Sequence, residues 1–289
     1  MRLSIVGFGL IGGSVARALA ARDAGRWHVT AWSRSEDGPR AALADGVVDV
    51  VAPSAGDAVA GAELVLLAAS PLANLDLVHT LGPAVAAAGA TLMDVTSAHV
   101  RIARAAEAVP GLRYVGGHPM AGLEGRGYEA ARADLFAGRP WIVLPSPATC
   151  AEDLARVGAL VAACGGRPVT LEPAEHDHLV AAISHLPLVV AAALAEAVTS
   201  GPAWSDASRV AAGGWRDATR VARGDPDLGA GIVALNRDEV LAWLDRFAAT
   251  LASWRAEVAG LPPEPVAADA GALRDRFERT RAALVERDA

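Results

Sequence analysis

The chain has 289 residues, 53% of them hydrophobic, with a mean hydropathy of +0.30 and a formal charge of −7 at pH 7. This is enough apolar material for a sizeable core in about two domains, and it excludes a disordered chain. The acidic balance and the lack of any basic run argue against nucleic acid as the main partner, leaving a small molecule as the expected ligand.

From the N-terminus, the runs LSIVGF, SVARALAARDA, HVTAWS, a helix near 38 to 45, and ELVLLAA alternate strand with helix, as in a parallel sheet with crossover helices. Gly7, Gly9 and Gly12 form GxGxxG directly after the first strand. Gly7 allows the tight turn, Gly9 lets the backbone approach a pyrophosphate, and Gly12 lets the helix lie close to the sheet. The helix N-terminus, with Leu10 and Ile11, then faces the phosphates. A nicotinamide dinucleotide is expected, with FAD or S-adenosylmethionine as alternatives. An NAD site carries a carboxylate about 20 residues past the glycines. Here the second strand ends in Ser33, Arg34 and Ser35, which suit a 2′-phosphate, so NADP is the expected cofactor; Glu36 and Asp37 keep NAD possible. Ser70 and Pro71, after ELVLLAA, complete the expected cofactor contacts.

Further strands are expected at TLMDVTS (91–97), RYVGG (113–117), WIVLP (141–145) and RPVTL (167–171). In GGHPMAGLEGRG (116–127), His118 stands between a glycine pair and Pro119, which is odd both for a solvated loop and for a core; the sequence reads as a rigid loop presenting an imidazole. After Pro173 the strand signal ends, and residues 174–261 read as helical. The very apolar stretch 178–198 is expected to be a buried helix at a subunit interface; LPLVVAAALAEAV, with Pro187 and Glu196, is too short for a membrane span. LPPEPV (261–266) precedes a last amphipathic helix with Leu273, Phe277 and Leu284 on one face, expected to pack on a partner. The fold expected is an α/β Rossmann-like domain with a parallel sheet over 1–172, followed by an all-α substrate and dimerisation domain over 173–289, in a homodimer.

All 26 basic residues are arginine, which removes lysine-base and Schiff-base chemistry. Cys150 and Cys164 are too few for a disulfide framework and lack metal spacing, so no metal is expected; with no secretory signal in MRLSIVGFGL, a reduced, cytoplasmic setting without membrane is expected.

Four blocks in order, GFGLIGGS, DVTSAH (94–99), GGHPMAGLEGRGYEAARADLF (116–136) and the pair SHLP (184–187) with GGWRDATRVA (213–222), resemble the prephenate and arogenate dehydrogenase family over most of the chain. The resemblance implies NAD(P)-linked oxidative decarboxylation of a cyclohexadienol in tyrosine biosynthesis. It implies that His118 takes the C4 hydroxyl proton, that Ser97 hydrogen-bonds this histidine and the hydroxyl, and that Arg220 grips the ring carboxylate. Ser184, His185, Glu124, Gly214 and Asp217 are the expected substrate contacts, Asp217 by orienting Arg220 or Arg216. The chain departs from the family pattern at Leu188, where a second histidine is common, at Gly229, where an aromatic is common, and at Leu123 and Arg126 in the histidine segment. Glu124 would favour arogenate's ammonium and Arg126 would oppose it. 4-Amino-4-deoxyprephenate is the alternative substrate, and a non-catalytic dinucleotide sensor the alternative of another class. Imine reductases and 3-hydroxyacid dehydrogenases share the plan but normally use a helix lysine, which this chain lacks.

Overall fold

The computed structural model describes residues 1–123, 125–264 and 266–288, the last three as backbone. Two compact units divide it, Met1–Val240 and Leu241–Ala289.

In the first unit, an eight-stranded sheet has the order β3-β2-β1-β4-β5-β6-β7-β8. Its strands are β1 (Arg2–Val6), β2 (His28–Trp32), β3 (Val50–Val51), β4 (Leu64–Leu67), β5 (Thr91–Asp94), β6 (Arg113–Pro119), β7 (Pro140–Pro145) and β8 (Arg167–Thr170). The intervening helices are α1 (Leu10–Arg22), α2 (Asp37–Ala44), α3 (Ala55–Val59), α4 (Pro71–Ala87), α5 (Val100–Glu107) and α6 (Ala151–Ala163). Helices cover both faces, which is why β4 reads LVLL without alternation. Leu64 and Leu66 pack into the core with Leu3, Ile5 and Trp141; Val65 and Leu67 pack into the opposite core with Val78, Leu92 and Ile102.

Two details differ from the sequence expectation. The two-residue edge strand β3 is too short to leave a periodic signal. The pair β6–β7 is antiparallel, so β7 and β8 run against the other six strands. Among the described residues, the connection from β6 to β7 contains a 3-10 turn, Tyr128–Ala130, and no α-helix, which is the usual element of a parallel crossover.

The strand order reverses between β1 and β4, and in open sheets of this kind the crevice at the carboxyl ends of those strands receives ligands. Strands β1, β4, β5 and β6 all point to that edge. The glycine turn, Ser70, Ser97 and His118 therefore line up along it.

The helical part of this unit begins with α7 (Pro173–Val180), a π-helical turn Ala181–His185 and α8 (Leu186–Thr199). Pro187 has no amide hydrogen for the carbonyl four residues back, and the wider turn removes the clash at that point. The three pieces form one continuous helix of 27 residues that is long and apolar enough to cross a membrane by length and composition, beyond the shorter apolar run the sequence suggests. It carries His176, Asp177 and His185 fully buried in the protein. The short helices α9 (Trp204–Ala207) and α10 (Gly213–Thr219), a 3-10 turn Arg220–Arg223, α11 (Pro226–Leu235) and the start of α12 (Arg237–Ala259) follow.

In the second unit, α13 (Gly271–Asp288) packs on the later part of α12. Phe277 lies 4.9 Å from Trp254 between ring centroids, and Arg276 pairs with Glu257 at 2.7 Å while covering the Trp254 ring. Phe277 and Leu284 nevertheless stay largely exposed.

Candidate active site

The turn after β1 is built as its glycines require. Gly7 has φ +92°, and a Cβ there would stand 2.3 Å from the Ala69 nitrogen, so the turn can lie directly against the strand-end of β4. A Cβ on Gly12 would stand 2.4 Å from the Gly7 oxygen. At Gly9 nothing lies within 4 Å, and no side chain caps the N-terminus of α1. The amides of Leu10 and Ile11 are thereby left for an anion, the arrangement a dinucleotide pyrophosphate needs. Across the crevice, the buried Asn74 accepts from the Ala69 amide at 3.0 Å and donates to the Leu67 carbonyl at 3.2 Å, fixing the turn that leads to Ser70 and Pro71. Beyond β2, Ser33 is half-buried and Arg34 and Ser35 are exposed. Both nearby carboxylates are engaged: Asp37 accepts from Ser35 at 2.9 Å, and Glu36 pairs with Arg40.

His118 lies inside β6, opposite Ile142 of β7, and not in a loop as the sequence suggests. The glycine pair before it answers to space. A Cβ on Gly117 would stand 2.2 Å from Met93 Cε and 2.9 Å from the Asp94 carbonyl, and one on Gly116 would stand 2.8 Å from His99 Nδ1. Removing both side chains lets a second row of polar groups pack behind the strand.

That row holds three further histidines and two carboxylates. His118 Nδ1 is 2.9 Å from His176 Nε2, and His176 Nδ1 is 2.9 Å from Asp177 Oδ1. Asp177 also accepts from the amides of His99 (2.8 Å) and Val100 (2.8 Å) at the N-terminus of α5. His99 and Asp94 form a fully buried pair at 3.6 Å, with Tyr114 donating to the same carboxylate. His185 is fully buried, its Nδ1 facing the Asn236 amide at 3.1 Å, while Asn236 also donates to the Asp177 carbonyl. Next to this cluster the Ser97 hydroxyl is buried without a hydrogen-bond partner among the described residues. An unsatisfied buried hydroxyl is costly, and a polar group of a bound ligand would relieve it.

Electrostatics divide the imidazoles. Burial pushes His118 well below its ordinary pKa of 6.5, and the neighbouring His176, His99 and His185 push it further. Burial likewise lowers His176, opposed by Asp177, and lowers His185 to about 4. His99 goes the other way: burial opposes its charge, but Asp94 overcomes this and raises it, while Asp94 itself is lowered through His99. The imidazoles of His118, His176 and His185 are thus biased to the neutral form, and His99 with Asp94 to the charged pair. Among the described residues no group of three or more His, Cys, Asp or Glu is placed to hold a metal ion.

Arg220 opens the 3-10 turn after α10, exposed to solvent. The segment just after it is tied to the histidine segment by the Arg126–Asp225 ion pair at 2.6 Å. Asp217 and Gly214 are exposed on α10. Ser184 is exposed on the π turn. Glu124 lies outside the described residues. Two of the departures from the family pattern are neighbours: a Cβ on Gly229 would meet Leu188 Cδ2 at 3.7 Å, and both line a cavity of about 650 Å³ between α8 and α11.

Sequence reasoning passed over His176, Asp177, Asn236, Asp94 and His99. The signal was present in EHDHLVAAISH, where a histidine and a carboxylate sit side by side in an otherwise apolar helix.

Residues 15–170 match the family model described as the nucleotide-binding domain of prephenate dehydrogenase, and residues 172–265 match the one described as its dimerization domain. A prephenate dehydrogenase of Bacillus subtilis (strain 168) is 33% identical over 246 residues, 84% of this chain; the chain spans 65% of that protein's length. A cyclohexadienyl dehydrogenase of Zymomonas mobilis is 32% identical over 271 residues, 89% of this chain and 88% of that one. The crystal structure of Synechocystis arogenate dehydrogenase superposes with a TM-score of 0.78 at 26% identity, covering 100% of each chain.

Proposed function

The chain belongs to the prephenate dehydrogenase family, and we propose that it catalyses the NADP-linked oxidative decarboxylation of prephenate or arogenate to 4-hydroxyphenylpyruvate or tyrosine. The observation that carries this reading is that the sheet edge bearing the glycine turn also bears His118, whose pKa burial holds low, and a buried Ser97 hydroxyl without a partner among the described residues. The residues of that turn fit a dinucleotide: Gly7, Gly9 and Gly12 shape it, the amides at the start of α1 face the pyrophosphate, and Ser70 and Pro71 close the other side. When bound, the nicotinamide supplies the hydride acceptor.

His118 then takes the proton of the C4 hydroxyl on its unprotonated ring nitrogen, with Ser97 orienting that hydroxyl. Arg220 holds the ring carboxylate through two parallel charged hydrogen bonds until the bond to the ring breaks; the carboxylate leaves as carbon dioxide, its electron pair completes the aromatic ring, and the phenolate oxygen takes its proton back from His118. His185, buried behind Ser97, supports the site, and Ser184, Gly214, Asp217 and Glu124 border the substrate. The NADP preference is supported by Arg34, exposed at the end of β2 while Glu36 and Asp37 are engaged elsewhere. Residues 1–172 serve as the dinucleotide domain and 173–289 as the substrate and dimerisation domain. A homodimer is supported by apolar side chains left exposed on α8 and the π turn, among them Ile183 at 69% and Leu194 at 39%.

The test is steady-state formation of reduced cofactor with NADP or NAD against prephenate, arogenate and the amino analogue. Turnover with prephenate or arogenate and a lower KM for NADP is expected. A lower KM for NAD overturns the cofactor preference, and no turnover with any of the three overturns the activity.

The glycines offer a separate check. Gly9→Ala has room for its methyl and is expected to fold within about 0.5 kcal/mol of the parent while binding dinucleotide less tightly. Gly7→Ala combines a left-handed backbone with a backbone clash and is expected to lose about 1–3 kcal/mol of stability. Urea unfolding and cofactor titration read the two effects apart.

A further inference from the structure

The hydrogen bonds behind His118 determine which of its nitrogens carries the proton. Asp177 is a carboxylate receiving backbone amides at its two oxygens, and a carboxylate only accepts. The remaining contact to Oδ1, from His176 Nδ1 at 2.9 Å, therefore requires the hydrogen to be on that nitrogen. A neutral His176 then presents a lone pair at Nε2. That lone pair faces His118 Nδ1 at 2.9 Å, so His118 must donate from Nδ1. Its Nε2 is left as the lone pair, in the tautomer a general base needs.

We propose that His176 is a positioning residue for His118 and that Asp177, anchored on the first amides of α5, fixes His176 in the tautomer that exposes the Nε2 lone pair of the base. The proposal rests on the reading of His118 as the proton acceptor. It extends that reading to two residues, His176 and Asp177, that act through His118. As His118 gains its proton, the developing positive charge is met through His176 by the Asp177 carboxylate, with no proton needing to leave the chain of hydrogen bonds. The groups facing His118 are His176, His99 and His185, and those facing His176 are Asp177, His99 and Asp94. Of these, only Asp177 is bonded to the chain that ends on Nδ1 of His118.

The substitution Asp177→Asn reverses the logic at small steric cost. The Asn carbonyl keeps the α5 amides and its NH2 turns to His176 Nδ1, which must then accept. His176 donates from Nε2, His118 accepts at Nδ1, and the His118 proton sits on Nε2, where it blocks base action. A wrong tautomer of this kind costs a serine protease about 10⁴ in kcat. His176→Leu removes the link while leaving the α5 amides their carboxylate.

The experiment combines kinetics over pH with ¹⁵N NMR of imidazole-labelled holoenzyme, on the parent, Asp177→Asn, His176→Leu, His118→Asn and the double variant of His118 and Asp177. In the parent the His118 proton is expected on Nδ1, and in Asp177→Asn on Nε2. Asp177→Asn and His176→Leu are expected to lower kcat by about 10² or more with KM for the cofactor unchanged. On top of His118→Asn, Asp177→Asn is expected to cost less than about twofold, because both act through one nitrogen. A parent His118 protonated on Nε2, full additivity in the double variant, or parental kcat in His176→Leu would each overturn the proposal. Failure of the parent to turn over any cyclohexadienyl substrate, with Nδ1 still protonated, would instead remove the activity and leave the tautomer assignment standing.

Discussion

Replacing His118 by Asn is expected to lower kcat by about 10² or more, while dinucleotide affinity and urea stability stay close to the parent's. Asn is close in size, and its amide can still donate to His176 Nε2, so the hydrogen-bonded row behind β6 keeps its partner. What is lost is a titratable lone pair. The cofactor crevice lies along the turn after β1 and is not built from His118, which is why binding should survive. The pH dependence carries the sharper test. On the proposed mechanism the parent works through neutral His118, and burial together with three neighbouring imidazoles pushes that group well below its ordinary pKa of 6.5. The acid limb of kcat/KM for the parent should therefore fall below pH 6.5, and it should vanish in the Asn variant. An unchanged kcat, or an acid limb that persists without the imidazole, would move the base elsewhere in the cluster.

The parts of this site that a linear reading reaches are those whose constraint is local. The spacing Gly7-x-Gly9-x-x-Gly12 follows a buried strand because a turn, an approach and a helix contact occur within six residues. Ser97 and His118 stand out because each sits in a short block at a strand end. The support behind them is non-local. His176 is 58 residues from His118 and Asp177 is 78 from His99, and their partnership exists only once α7 is laid against the ends of β5 and β6. The glycine pair before His118 reads in sequence as loop stiffening; in the fold it is an absence of Cβ atoms that admits His99, Met93 and Asp94. The direction of β7 had a hint in the sequence, since the connection before it shows no helical pattern and parallel crossovers usually carry a helix.

The same buried imidazoles should make the fold acid-labile in a defined window. A histidine whose folded pKa is lowered binds its proton more readily when unfolded, so stability is lost as pH falls from 6.5 toward the folded value. His185, lowered to about 4, and His176 and His118, both lowered, all act in this direction. His99 is raised by Asp94, so its stabilisation is full below 6.5 and is lost as pH climbs through the higher folded value. Asp94, lowered, contributes above its ordinary 3.8 and is lost only at lower pH. The two tendencies place maximal stability near neutrality and a steep fall between pH 6.5 and about 4. Across that window His185 contributes a slope of up to about 1.4 kcal/mol per pH unit, and His118 and His176 act in the same direction. Urea unfolding at fixed protomer concentration from pH 7.5 to 4.5 measures the slope. His185→Gln should lower absolute stability through the Asn236 contact, yet flatten the slope by up to about 1.4 kcal/mol per pH unit. A parental slope in that variant would mean His185 is protonated in the folded state and that the cluster behind Ser97 carries a charge its geometry does not accommodate.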